Sequence, residues 1–399
     1  MSFRRGRGEL HRFSELLGAG LAVAAGAVRG ALGQDVFHAI GYRSFGTPER
    51  ALLLGRVLED EGVGVADASH SRWRNLYSAL KRIEADPLPF ARVRARVNGA
   101  VFDLTADDEG FLGEWISPRL PLAGGWNEVE LELLDPPRGQ PSSGTTLVLV
   151  PPASARFGVV SDMDDTVLQS EITAFLRAAR LMLLENARTR LPFPGVAACY
   201  RALHDAGGAS NPIFYVSSSP WNLYDVIADF LAAQEIPAGP LLLRDWDVRP
   251  SLLRNREYKT ARIREIFATY PALPFILVGD SGQEDPEIYS ELVHENPGRV
   301  LAVYIRNVSH APERAEAIRA LATEVRLAGS TLVLADDTLA VARHAAMHGW
   351  LDNDRLAEIA GDKRDDEGAT TEKVETPGVH LETAPTVVVD DEVKASDVE

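Results

Sequence analysis

Six short apolar runs alternating with amphipathic segments predict a doubly wound α/β domain over residues 151–346. Ahead of it, period-two alternation across residues 41–150 predicts a small antiparallel β-sandwich. An uncharged Gly/Ala-rich stretch, Leu16–Val28, follows Arg4, Arg5, Arg7 and Arg12 and predicts a helical segment over residues 1–40. Residues 347–399 read as a short helix and then an acidic, disordered tail.

The N-terminal stretch is shorter than the roughly 20 apolar residues that cross a bilayer. It reads as an amphipathic or packing helix, with an export signal ending near Ala25-Gly26-Ala27 as the alternative. In the β-rich block, Ala91–Val97 and Val129–Leu134 alternate as half-buried strands do. Asp107-Asp108-Glu109-Gly110 reads as a tight turn before Phe111, and Thr146–Val150 as a last strand closed by Pro151-Pro152.

The α/β strands are expected at Phe157–Ser161, Ile213–Ser217, Leu241–Arg244, Phe275–Gly279, Leu301–Ile305 and Thr331–Ala335. Their continuous apolarity suits a parallel sheet covered on both faces. Leu223, Val226, Ile227, Phe230 and Leu231 share one helical face, as do Ile263, Ile266, Phe267 and Tyr270. Ligands of such sheets bind beyond the carboxyl ends of the strands.

Charge narrows the function. The net charge is -17, and residues 361–399 hold twelve acidic against four basic residues. The body is mildly acidic, which excludes nucleic acid as the expected partner. The single cysteine, Cys199, rules out an internal disulfide and fits a reducing compartment, with the residue read as a buried hydrophobe.

Chemistry-bearing residues collect just after the strands. Asp162 and Asp164, in Asp162-Met163-Asp164-Asp165-Thr166, fall on one face of an extended backbone. Two like charges that close need a cation or a division of labour. The second group is Ser217-Ser218-Ser219-Pro220-Trp221, read as a helix start with Ser219 as N-cap and as a phosphate cradle. The third is Lys259, read at the front of its helix as an anion contact. The fourth is Gly279-Asp280-Ser281-Gly282-Gln283-Glu284-Asp285-Pro286, where Asp280 and Asp285 suit an oxygen site for Mg²⁺. Leu334-Ala335-Asp336-Asp337-Thr338 copies the end of the first motif but has Leu334 in place of the first Asp, and reads as a helix cap.

This ordered set resembles the haloacid dehalogenase-like phosphohydrolases, and more closely the actin-patch-associated phosphatidate phosphatase family, relatives of the lipins. The likeness rests on Ser161–Val167, Phe193-Pro194-Gly195, Tyr215–Tyr224, Leu242–Trp246 and Gly279–Tyr289, and covers roughly residues 150–345. Gly41–Gly46 and Gly55–Leu58 look like the leading portion of bacterial members. One departure is Asn255-Arg256-Glu257-Tyr258, where a histidine-rich approach to the lysine is expected.

The resemblance implies a Rossmann-like sheet with a minimal cap and a Mg²⁺-dependent phosphatase. In it Asp162 is the nucleophile and Asp164 the acid/base. Mg²⁺ sits on Asp162, Asp164 and Asp280, with Asp285 beside them. Lys259, Ser217, Ser218 and Thr166 serve the phosphate and its loop. Phosphatidate at a membrane surface is the expected substrate, with cytoplasmic placement and peripheral contact at the inner membrane surface. Trp221, Tyr224 and Trp246 are either an apolar rim for acyl chains or core. Phosphoproteins or soluble phosphate esters are alternative substrates, and an inactive lipid-binding module is the alternative class.

Overall fold

The computed structural model describes residues 37–59, 86–134, 142–163, 193–244, 252–309 and 311–371. Its first eight strands are β1 (Phe37–Tyr42), β2 (Ser44–Thr47), β3 (Arg50–Glu59), β4 (Arg92–Val97), β5 (Ala100–Thr105), β6 (Phe111–Ile116), β7 (Gly125–Leu133) and β8 (Ser143–Val150). They follow the order β1-β3-β2-β8-β7-β4-β5, with β6 on β3. The pairing is antiparallel apart from β2 with β8. The β-rich block is therefore one hydrogen-bonded path and not two separate antiparallel sheets. β2 makes the join because it pairs on both edges, Gly46 with Ala51 and Ser44 with Val148. Inward side chains such as Ala39, Leu53, Val57, Val93, Leu131 and Val148 form one core. The block also starts earlier than expected, since Phe37–Tyr42 is strand where a helical segment was expected. In the Asp107 turn, the side-chain Oδ1 accepts from Glu109 N–H at 2.9 Å and Phe111 N–H at 2.8 Å.

The next six strands are β9 (Gly158–Ser161), β10 (Ile213–Pro220), β11 (Leu241–Arg244), β12 (Phe275–Asp280), β13 (Val300–Arg306) and β14 (Leu332–Ala335). All pair in parallel, in the order β11-β10-β9-β12-β13-β14. That is the strand order of a doubly wound sheet, and it reverses between β9 and β12. The helices are α1 (Val196–Asp205), α2 (Tyr224–Ala233), α3 (Leu252–Thr269), α4 (Asp285–Glu295), α5 (Pro312–Leu327), α6 (Thr338–Met347) and α7 (Arg355–Thr371). Asp337 caps α6 as expected, its Oδ1 accepting from Ala340 N–H at 2.8 Å.

The two sheets share a core. Tyr42, Phe45, Leu52 and Leu54 of the first join the same buried cluster as Phe214, Trp221, Tyr224 and Tyr270 of the second. Tyr42 stacks on Trp221 with centroids 5.0 Å apart and planes 7° apart, and lies 4.3 Å from Tyr224. Polar bonds tie the same seam. Arg43 N–H donates to the Tyr224 hydroxyl at 2.6 Å, Arg56 to Asn222 Oδ1 at 2.7 Å, and the Tyr270 hydroxyl to Gly46 O at 2.9 Å. Trp221 and Tyr224 are thus core residues of the seam, and the acyl-rim reading fails for both. Trp246 lies outside the described residues, as does the N-terminal segment before Phe37.

Helix α7 runs eleven residues into the segment read as a disordered tail. Ile359 is buried, Asp366 and Asp362 accept the Gly195 and Ala198 N–H groups that open α1, and Lys363 pairs with Asp337 at 2.6 Å. Acidic side chains at a helix N-terminus are stabilising, so the composition that suggested disorder is here used as capping. Cys199 is buried, and burial pushes its thiol up to about 12. Among the described residues, no helix is long and apolar enough to cross a membrane.

A shared core predicts shared unfolding. The full chain is expected to unfold in one cooperative denaturant transition, and Tyr42→Ala to lower its stability by about 3–5 kcal/mol. Equilibrium denaturation checks both, and two independent transitions in the unmodified protein would contradict the seam.

Candidate active site

The chain order places two aspartates at the point where the sheet reverses. β9 ends at Ser161, and Asp162 N–H still donates to Val278 O of β12 at 2.9 Å. Asp280 is the last residue of β12. Neighbouring parallel strands thus deliver Asp162 and Asp280 to the same crevice. Asp285, the first residue of α4, folds back so that its Oδ2 accepts the Asp280 N–H at 3.2 Å. Gly279 makes this close return possible, because an added Cβ would stand 2.5 Å from Asp285 Oδ2. All three aspartates are buried and each offers an oxygen within 4.8 Å of the others.

Lys259 completes the group. It lies about two turns into α3, and not at its front as expected from sequence. The dipole reading therefore gives way to burial: Lys259 continues the buried stripe of Ile263, Ile266 and Phe267 at helical spacing. Its Nζ is 3.0 Å from Asp162 Oδ1, 2.9 Å from Asp285 Oδ1 and 3.3 Å from Gln283 Oε1. Burial, at 3% exposure, lowers the affinity of the amine for its proton; Asp162 and Asp285 outweigh that and hold it above the usual lysine range. Among the described residues, three carboxyl groups share this buried crevice and Lys259 bonds two of them.

The surrounding shell is aromatic and hydroxylic. Tyr289 donates to Val278 O at 3.0 Å, and its phenol is pushed well up by burial and then by Asp285, Asp162 and Asp280. The Ser161 hydroxyl donates to Asp162 O at 2.6 Å, so the Tyr200 hydroxyl, 2.6 Å away, is the donor to Ser161. Burial also raises the Tyr200 phenol. That relay reaches from α1 to the Asp162 carbonyl. Neither tyrosine was singled out from sequence. Tyr289 has a signal in its four-residue spacing from Asp285, but Tyr200 has none, because the segment joining it to β9 is long.

Tyr215 pairs with Ser161, so Ser217 follows two residues further, beside the start of the Asp162-Met163 loop. Ser217 is buried and Ser218 half-buried. The expected helix start at Ser219-Pro220 is not formed. β10 continues to Pro220 through an irregular register, a 3-10 turn occupies Trp221–Leu223, and α2 begins only at Tyr224. The reason is local: Ser217 Oγ accepts the Ser219 N–H at 2.9 Å, and Pro220 pairs with Arg244. The structure thus brings Asp162, Lys259, Asp280 and Asp285 together and sets Ser217 and Ser218 at the same sheet edge. Asp164, Asp165 and Thr166 lie outside the described residues.

Residues 157–307 match the model of a family described as the catalytic domain of phosphatidate phosphatase APP1. Phosphatidate phosphatase APP1 of Saccharomyces cerevisiae is 31% identical over 158 residues, 39% of this chain and 26% of the yeast protein. An uncharacterized protein of Schizosaccharomyces pombe is 26% identical over 157 residues, 38% of this chain and 25% of its own. The chain thus matches about a quarter of the length of these curated relatives. Among solved structures, a carbohydrate acetylesterase from Xanthomonas citri covers 71% of this chain and 72% of its own at 12% identity, but a TM-score of 0.25 carries no argument. From β9 through β13, Asp162, Ser217, Lys259, Asp280 and Asp285 included, the chain is similar to the catalytic domain of a phosphatidate phosphatase.

Proposed function

We propose that this protein is a Mg²⁺-dependent phosphatase of the haloacid dehalogenase-like type that converts phosphatidate to diacylglycerol through an aspartyl-phosphate. The observation that carries the reading is the convergence of Asp162, Asp280 and Asp285, two of them bonded to Lys259, at the switch point of a parallel sheet. Its location inside the region similar to a phosphatidate phosphatase catalytic domain supports the substrate.

The donor set fits a divalent cation. Hard oxygen ligands suit Mg²⁺, which takes one or two carboxylates and leaves room for substrate phosphate. Asp162, Asp280 and Asp285 each offer an oxygen within 4.8 Å of the others, close enough to share one ion. Asp162, Asp280 and the Asp164 carbonyl would hold it, with Asp285 alongside. When bound, it offsets phosphoryl charge in the transition state.

The protein residues then divide the work. An Asp162 carboxylate oxygen attacks phosphorus, and the bond from phosphorus to the ester oxygen breaks. Asp164 gives its proton to the departing alkoxide. Water next loses a proton to Asp164 and attacks the phosphorus of the acyl phosphate, freeing inorganic phosphate and restoring Asp162. Lys259, held cationic by its neighbours, keeps Asp162 ionised and in place. Its longest contact, to Gln283 Oε1 at 3.3 Å, is the one a phosphoryl oxygen replaces. Ser217 and Ser218 serve the other nonbridging oxygens, and Thr166 braces the loop.

A second reading, a phosphatase for phosphoproteins or soluble esters, gains from the burial of Trp221 and Tyr224 in the seam. With those rings gone from the rim, part of the sequence case for acyl chains is lost.

Phosphate release from phosphatidate vesicles with Mg²⁺ is expected to exceed release from a soluble aryl phosphate; the reverse order would favour the second reading. Vesicle binding with no turnover of either would mark an inactive lipid-binding module. Asp162→Asn is expected to cut turnover by at least about 10³-fold with the fold intact by circular dichroism. Lys259→Met is expected to lose activity and about 3–5 kcal/mol of stability, because it strands buried carboxylates. A lysine held above its ordinary range contributes fully below that range and loses its contribution as pH rises past it. The stability gap should therefore stay constant from about pH 6 to about pH 9 and narrow only in strong alkali, as denaturation at several pH values would check.

A further inference from the structure

Helix α5 begins beside the Asp280 loop, and its third residue reaches into that loop. Arg314 Nε donates to Ser281 O at 2.9 Å and Nη2 to Gln283 O at 2.6 Å. The guanidinium is fixed from the other side by Glu287 of α4, which accepts from Nη2 at 3.0 Å and also from Nη1. Arg314 stands outside the 157–307 match.

The contact at Ser281 has a direct chemical reach. Ser281 O and Gly282 N–H belong to one planar peptide and point in opposite directions. Fixing the carbonyl therefore aims the N–H. That N–H donates to Asp280 Oδ1 at 2.6 Å, and Gln283 N–H joins it at 3.0 Å. A guanidinium on the carbonyl also polarises the peptide and strengthens its N–H as a donor. The loop is pinned further where the Ser281 hydroxyl oxygen accepts from Val308 and Ser309 N–H, each at 2.9 Å.

We propose, on the footing of the Mg²⁺ site inferred above, that Arg314 is a positioning residue that sets the Asp280 carboxylate for the cation through the Ser281–Gly282 peptide. It touches neither substrate nor metal. Groups that hold a metal ligand from behind set affinity as well as geometry, and their loss typically costs about 10- to 100-fold in metal binding.

The test is calorimetric titration of Mg²⁺ into the full-length protein without substrate. Arg314→Met is expected to weaken binding about 10- to 100-fold. Arg314→Lys, whose single ammonium cannot serve both carbonyls and Glu287, falls between. Arg264→Met removes an exposed pair with Glu291 and Glu295 and should bind as the unmodified protein does. In turnover, the half-maximal Mg²⁺ concentration should rise by the same factor while KM for phosphatidate holds. If Arg314→Met does not fold by circular dichroism, Arg314→Lys and Glu287→Gln carry the test, both with weakened Mg²⁺ binding. Mg²⁺ binding unchanged in the folded Arg314 variants overturns the role of Arg314 alone. An unmodified protein that takes up no Mg²⁺ overturns the metal reading and the positioning role together.

Discussion

Crowding three carboxylates into one buried crevice is the cost around which the rest of this protein is arranged. Like charges at that separation repel strongly once water is gone. The nearby features each reduce the penalty. Lys259 comes from the buried stripe of α3 to sit between Asp162 and Asp285. Backbone N–H groups of Asp280, Gly282 and Gln283 turn toward Asp285 and Asp280. Gly279 lacks the Cβ that would block the return of Asp285. Such an arrangement favours a positive ligand, and under the proposed function that ligand is the Mg²⁺ that accompanies an anionic substrate.

Much of this was legible in the sequence because it depends on local order. All six strands of the parallel sheet were readable, since buried parallel strands are apolar along their whole length. Asp162 and Asp280 were readable because each ends such a run. What escaped was long-range. The chain beyond Gly361 has the composition of a tail, yet Asp362 and Asp366 find the open N–H groups of α1, a contact that no local pattern encodes. Lys259 was found for an incorrect reason: it was read at the front of its helix, whereas it lies about two turns into α3 on the buried face. Ser219-Pro220 offered a helix start that the Ser217 side chain pre-empted by bonding the Ser219 N–H. Arg314 and Tyr200 were invisible, since their importance lies in what they touch.

The β-rich block also takes on a role. Its β1 strand, the link after it and β3 supply Tyr42, Arg43 and Arg56 to the segment Trp221–Tyr224, just after the serines of β10. A short 3-10 turn between a strand and a helix has few backbone bonds of its own to hold it. Here the stiffness comes from aromatic packing across the seam, with each stacked pair adding about 0.5–1.5 kcal/mol beyond its buried area.

That seam bears on where the protein can be cut. The region similar to known catalytic domains ends short of Tyr42 and Phe45 on one side, and short of Arg314 and α7 on the other. A fragment trimmed to residues 157–307 would bare Phe214, Trp221, Tyr224 and Tyr270 to water as one apolar face and lose the brace on the Asp280 loop. Exposed patches of that kind are association surfaces. The region similar to a catalytic domain and the unit that folds therefore have different borders, and any transplant, fusion or minimal version of this chain must respect the wider one.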